Sequence, residues 1–245
     1  MTLILSAVTS TLISSTGSQN KQFLANWIYC SLNISLKTSL FRNNSIYLIT
    51  DRTIAGMSHV QIARRAVSAG IKVIQFRENN MSKKDIFREA LSVRDITRSG
   101  KVKLIINDHI DIAMAVNADG VHLGQEDMPV DRARRILGKG KIIGISTHSL
   151  KQALKAQEWG ADYIGFGPIF RTGTKDAGPP KGIRALEKIK EHINITIVAI
   201  GGIKRDNISS VINAGADACA IISGILAGNM KSNIGKYMES IKQGR

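Results

Sequence analysis

"EWGADYIGFG" (158–167) and "NAGADACAIISG" (213–224) are two versions of one phrase. Each closes a helical stretch, turns on small residues, passes an aspartate and enters a short apolar run. "SAGIKVI" (68–74) and "VNADGVHLG" (116–124) repeat the helix end, the small residue and the run. Working outward from these four, further runs appear at "IYLIT" (46–50), "VKLIIN" (102–107), "KIIGIS" (141–146) and "ITIVAI" (195–200). The strands are therefore expected at 46–50, 71–77, 102–107, 119–124, 141–146, 162–167, 195–200 and 217–223. They are short, mostly rich in Val and Ile and almost continuously apolar, as parallel strands buried on both faces should be.

Between them lie helical patterns at 57–69, 82–98, 148–159 and 205–213. In "THSLKQALKAQEW" (147–159), Thr147 or Ser149 is placed to cap the start, and Leu150, Ala153, Leu154 and Gln157 share a face. Eight alternating βα units predict an α/β protein, a single-domain (β/α)8 TIM barrel over residues 45–245. A doubly wound open sheet is the alternative, but the GxGxxG fingerprint after the first strand is absent. Residues 1–44 differ: rich in Ser, Thr and Asn, without periodicity, they read as a poorly structured N-terminal extension or as sequence added by an upstream start.

Composition narrows the function. The net charge is +15, and the first 44 residues hold only Lys21, Lys37 and Arg42 with no acid, so most of the charge belongs to the barrel. Such a balance suits anionic partners. Aromatics are only 5% and no basic stripe interleaves with them, which argues against nucleic acid. No apolar run reaches the ~20 residues that span a bilayer. Cys30 and Cys219 are too few for a disulfide framework, so a reducing, cytoplasmic setting is expected. Phosphorylated small molecules remain as partners, with a homo-oligomer left open.

Barrel chemistry collects at the C-terminal ends of the strands, while the opposite end serves stability. Asp119, Asp162 and Asp217 fall at strand starts and read as structural. The strand ends carry Gln75 and Arg77, Asn107 and Asp108, Asp127, Ser146, the loop "GPIFRTGTKDAGPPKG" (167–182), "GGI" (201–203) and "SG" (223–224). "GGI" and "SG", each read as leading into a helix, have the form of the usual barrel phosphate site: glycines admit an anion and free amides donate to it. Asp108 and Asp127 could be a hard-cation site, a general acid/base pair or repelling surface groups; Mg2+ takes one or two carboxylates and fills its shell with water and phosphate. With Arg77, Lys175 and Lys181 at the same mouth, a Mg2+–diphosphate complex fits better than acid/base work alone. His122 reads as an interior residue, and His109 and His148 as loop residues near the mouth.

With these residues assembled, the chain resembles the thiamine phosphate synthase family over roughly residues 45–230. "YLITDR", "IQFRE", "IINDHIDIAMAVNADGVHLGQEDMP", "IIGIST", "GADYIGFGPIFRTGTK", "VAIGGI" and "AGADACAIISGI" carry the likeness. The resemblance implies a barrel enzyme that joins 4-amino-2-methyl-5-hydroxymethylpyrimidine diphosphate to a (carboxy)thiazole phosphate and releases pyrophosphate. It implies that Gln75, Arg77, Asn107, Ser146 and Lys175 bind the pyrimidine diphosphate, with Phe76, Glu78 and Asn79 of the same segment. Arg77, Ser146 and Lys175 would be the catalytic set. Asp108 and Asp127 would hold Mg2+. Thr172, Gly173 and Thr174 would meet the thiazole, and Gly202, Ile222 and Ser223 its phosphate. Family members usually carry Lys where this chain has Asn79. A related thiazole tautomerase shares the barrel but should present a His in the loop after strand six, where this chain has Pro168. A non-catalytic sensor of phosphorylated metabolites is the remaining alternative.

Overall fold

A computed structural model describes residues 46–173 and 178–243. The extension expected at 1–44 lies outside the described residues. Eight strands, β1 (Ile46–Ile49), β2 (Val73–Phe76), β3 (Lys103–Asn107), β4 (Gly120–Leu123), β5 (Ile142–Thr147), β6 (Tyr163–Phe166), β7 (Thr196–Ile200) and β8 (Ala218–Ile221), close in sequence order into a barrel. Every neighbouring pair is parallel, including β1 with β8, so all strand C-termini share one end. Each observed strand overlaps the expected run.

The helices follow in alternation: α1 (Arg52–Ala55), α2 (His59–Ser68), α3 (Lys83–Ser99), α4 (Ile110–Ala115), α5 (Val130–Leu137), α6 (Leu150–Glu158), α7 (Ile183–His192), α8 (Ile208–Asn213), α9 (Ser223–Leu226) and α10 (Met230–Gln243). Short polar side chains cap several of them. Ser58 and Gln61 form a capping box on α2, and Ser82 accepts from Asp85 N on α3. Ser149, rather than Thr147, caps α6 by accepting from Gln152 N at 3.3 Å. The face expected for α6 is corrected in one place: Ala153 and Ala156 are buried, whereas Leu154 is 42% exposed. Leu154 lies about 100° around the axis from Ala153, which carries it off the stripe that meets the strands.

Period two sorts the strands into two layers. Ile46, Leu48, Ile74, Phe76, Leu104, Ile106, Val121 and Leu123 join the apolar cluster beneath the helices. Tyr47, Val73, Gln75, Ile105, His122 and Tyr163 alternate with them inside the barrel and are equally buried.

The aspartate of the repeated phrase proves to be a bolt at the N-terminal end. Asp119 accepts from Leu104 N at 3.0 Å, Asp162 from Ile143 N at 2.8 Å and Asp217 from Ile197 N at 2.8 Å. In each case the aspartate's own amide donates back to the same residue's carbonyl. A cation from the helix before the odd strand completes it: Arg94 at 2.6 Å, Arg134 at 2.6 Å and Lys190 at 3.2 Å. Three successive βαβ units are thus pinned alike. "SAGIKVI" lacks the aspartate and the bolt.

Candidate active site

The same alternation aims the site. Gln75, Asn107 and Ser146 are at inward positions of β2, β3 and β5, at or near their C-terminal ends. Beneath them runs a hydrogen-bonded chain through the barrel interior. Gln75 Nε2 donates to Tyr47 Oη at 3.0 Å, and Tyr47 Oη lies 2.7 Å from Tyr163 Oη. Tyr163 Oη is 2.9 Å from His122 Nδ1, and His122 Nε2 is 3.0 Å from Ser146 Oγ. Gln125 Nε2 donates to Ser146 O at 2.6 Å. Burial pushes the Tyr47 and Tyr163 hydroxyls well above the ordinary phenol value, so both stay protonated as donors. His122 is the satisfied interior residue expected of it.

Asp108 follows β3 in the left-handed region, at φ 60°, a conformation that Asp tolerates better than most residues. Its Oδ2 accepts from Asn107 Nδ2 at 2.7 Å, and its amide donates to His122 O at 2.8 Å. Asp127, after the adjacent β4, accepts from Gly124 N at 2.6 Å. Both carboxylates are half-buried at the rim, and among the described residues no cluster of three or more His, Cys, Asp or Glu forms a closed metal cage. Two carboxylates at the rim are hard oxygen donors of the kind that Mg2+ accepts, unlike the thiolates and imidazoles that softer metals prefer.

Arg77 reaches into a cleft of about 740 Å³ between the loops after β1 and β2, lined also by Asp51, Arg52, Glu78 and Asn79. Its NH1 is 4.0 Å from Asp51 Oδ2. Asn79 is exposed, and with its amide oriented to suit its neighbours it accepts from Arg77 NH2 at 3.3 Å.

Two residues of this segment are placed differently from expectation. Phe76 is 1% exposed in the helix-facing layer, its ring 4.4 Å from that of His59, because it alternates with the inward Gln75. Glu78 also turns away: Oε2 is 3.2 Å from His59 Nε2 and 3.7 Å from Arg52 NH1, and Oε1 accepts from Asn80 N at 2.7 Å. Burial acts to raise the Glu78 carboxyl, but the Asn80 amide and His59 outweigh it and hold it below the ordinary carboxylate value. Both side chains are thus committed within the protein.

Across the mouth, the loop after β6 is stitched at its base. Ile169 N donates to Ile200 O and Phe170 N to Gly201 O, while Lys181 N and Gly182 N return to Pro168 O and Ile169 O. Thr172 is half-buried and Gly173 exposed; Thr174 and Lys175 lie outside the described residues. Gly202 has φ 64°, and a Cβ there would stand 2.5 Å from Arg171 O. Backbone packs against backbone here, which only glycine permits. "GGI" leads into a helix that starts three residues later than the 205 expected: Lys204–Asn207 form a turn first, with Asn207 donating to Gly202 O at 3.1 Å, and α8 begins at Ile208. "SG" does open a helix. Ser223 is the first residue of α9, and Ile225 N→Ile222 O is its first bond, so the amides of Ser223 and Gly224 precede any intrahelical acceptor.

The remaining histidines divide. His148 Nδ1 is 2.7 Å from Gly167 O, and His109 occupies the N-cap of α4 without a side-chain cap bond. A further histidine, with no motif to mark it in the sequence, packs behind the Arg77 loop. His59 is wholly buried, with Nδ1 2.7 Å from Thr50 Oγ1. Burial lowers its pKa, favouring the neutral ring.

Comparison with known proteins shows the family. The family model for thiamine monophosphate synthase matches residues 46–225. The thiamine-phosphate synthase of Chloroflexus aurantiacus is 48% identical over 184 residues, covering 74% of this chain and 85% of that protein. That of Clostridium novyi is 45% identical over 201 residues, covering 81% and 98%. Thiamine phosphate pyrophosphorylase from Pyrococcus furiosus superposes with a TM-score of 0.77 at 35% identity, covering 85% of this chain and 98% of that one. A native KDPGal structure, at 14% identity and TM-score 0.63, shares the fold alone. By the span of the family match and the level of identity, this chain belongs to the thiamine monophosphate synthase family.

Proposed function

We propose that the protein is a thiamine-phosphate synthase, joining the pyrimidine diphosphate to a thiazole phosphate and releasing pyrophosphate in thiamine biosynthesis. The observation that carries this reading is the inward alignment of Gln75, Asn107 and Ser146 at one end of the barrel, with Arg77, Asp108 and Asp127 just beyond them.

In this reading the carboxamide of Gln75, held at Nε2 by Tyr47, presents its remaining edge to the pyrimidine. Arg77, Asn107 and Ser146 bind the diphosphate with Lys175. Asp108 and Asp127 would hold Mg2+, which when bound neutralises diphosphate charge. The thiazole phosphate rests on Gly202, Ile222 and Ser223, with Thr172, Gly173 and Thr174 beside the ring. The methylene–oxygen bond breaks and its electron pair leaves with pyrophosphate. The thiazole nitrogen then supplies the pair that forms the new carbon–nitrogen bond. No enzyme nucleophile is required, so positioning and charge stabilisation supply the rate.

The test is to incubate each substrate alone and both together, with Mg2+ titrated. A synthase changes nothing with the thiazole phosphate alone and makes thiamine phosphate only from the pair. With the carboxylated thiazole phosphate supplied alone, its isomerisation without the partner substrate or metal would replace this reading with the tautomerase one.

A further inference from the structure

Behind the diphosphate-facing loop, four residues form a circuit around one peptide bond. Arg77 N donates to Thr50 Oγ1 at 3.2 Å. Thr50 Oγ1 is 2.7 Å from His59 Nδ1, and His59 Nε2 is 3.2 Å from Glu78 Oε2. The circuit leaves the chain at the amide of residue 77 and re-enters at the side chain of residue 78. Arg77 points toward the cleft while Glu78 points back into the protein, so the loop after β2 is gripped from behind at the peptide linking them.

Hydrogen-bond chemistry gives the circuit a direction. An ionised Glu78 only accepts, so Nε2 carries the imidazole proton. Nδ1 then accepts from the Thr50 hydroxyl, whose oxygen in turn accepts the Arg77 amide. Each donor meets an acceptor in sequence. The ring is fixed by packing as well: Phe76 lies against it at 4.4 Å, and its own backbone amide donates to Glu89 Oε1 of α3 at 3.0 Å. Arg52 of α1 approaches Glu78 at 3.7 Å.

We infer that His59 is a positioning residue for the diphosphate-binding arginine, acting through Thr50 and Glu78 to hold Arg77 in its reactive orientation. This rests on the synthase reading above. His59 touches no substrate. Its contribution is that of a support whose small displacement misplaces the guanidinium, and errors of about 1 Å at such a group cost about a hundredfold at most.

The test compares wild type with His59→Leu, Thr50→Val and Thr50→Ser. Calorimetry with inorganic pyrophosphate and Mg2+ reads the anion site directly, and steady-state kinetics reads both substrates. His59→Leu and Thr50→Val should weaken pyrophosphate binding about tenfold and raise KM for the pyrimidine diphosphate alike. KM for the thiazole phosphate should not move, and Thr50→Ser, which restores the hydroxyl, should recover pyrophosphate affinity. A role confined to folding would instead lower the melting temperature without that split. Folded Thr50→Val with wild-type pyrophosphate affinity overturns the inference. Should the two disruptive variants not fold, 15N NMR of wild-type His59 decides. An Nε2–H ring whose signals shift on adding pyrophosphate supports the circuit, and an Nδ1–H ring or unmoved signals refute it. If wild type itself neither turns over nor binds pyrophosphate, the synthase reading fails rather than the circuit.

Discussion

Ser146 Oγ lies 3.0 Å from His122 Nε2, and through that ring a residue at the mouth is tied to two tyrosines deep in the barrel. The arrangement holds the serine hydroxyl at a fixed angle from beneath. Replacing His122 with Phe keeps a ring of similar shape but leaves Ser146 and Tyr163 each short of a partner. A loss of about 1–3 kcal/mol in stability is expected from the orphaned groups. KM for the pyrimidine diphosphate should rise with it. Urea melts beside steady-state kinetics check both effects, and an unchanged KM would show that Ser146 needs no support from below.

Asp108 and Asp127 flank the mouth from adjacent strands, each already holding one amide N–H. Asn at either position keeps the size and removes the charge. Each variant should need at least about tenfold more Mg2+ for half-maximal activity, with the larger effect in the double variant. Activity titrated against Mg2+ reads this directly.

At the opposite end, Asp162 is 7% exposed and pairs with Arg134 at 2.6 Å, whereas the Asp217–Lys190 pair at 3.2 Å is much more open to water. Asp162→Asn should cost about 3 kcal/mol, because it leaves a guanidinium with a weakened partner at a poorly solvated site. Asp217→Asn should cost about 1 kcal/mol or less. Thermal melts should rank them in that order. Neither variant should alter KM for either substrate, since both lie at the strand starts.

Stability should also depend on pH through His59. Its folded pKa is lowered from 6.5, first by burial, against the opposing pull of Glu78 and Glu89 and with help from Arg52. The unfolded chain therefore takes up this proton before the folded one does. The stability due to the neutral ring is whole above pH 6.5 and is lost as pH falls through the folded value. Urea midpoints measured from pH 7.5 downward should decline in wild type by a component that His59→Leu lacks. Glu78, held below its ordinary 4.5, adds loss in the same direction at lower pH.

The barrel was legible because its signal is periodic. The runs beginning at Ile46 and ending near Ser223 declare eight strands, and Asp119, Asp162 and Asp217 mark the starts of three of them. Legibility of the site was partial, for a related reason. Strand-end residues such as Gln75, Asn107 and Ser146 stand out as polar groups in apolar runs. Phe76 and Glu78 could not be sorted from Gln75 and Arg77 without the inward–outward phase, which one flat apolar run does not reveal. His59 escaped because it opens a helix nine residues after Thr50, and only the packing of α2 against the β1 exit brings them to 2.7 Å. Leu154 misled because an alanine stripe, not the leucine, meets the strands. Thr174 and Lys175 lie outside the described residues, so their expected contacts rest on the sequence.

The most direct measurement is a single turnover with enzyme in excess over the pyrimidine diphosphate, in the presence of thiazole phosphate and Mg2+, quenched and assayed for both products. Thiamine phosphate and pyrophosphate appearing in equal amounts, and neither with Asp108→Ala, is the predicted result. Pyrophosphate without thiamine phosphate, or no product from folded wild type, would contradict the account.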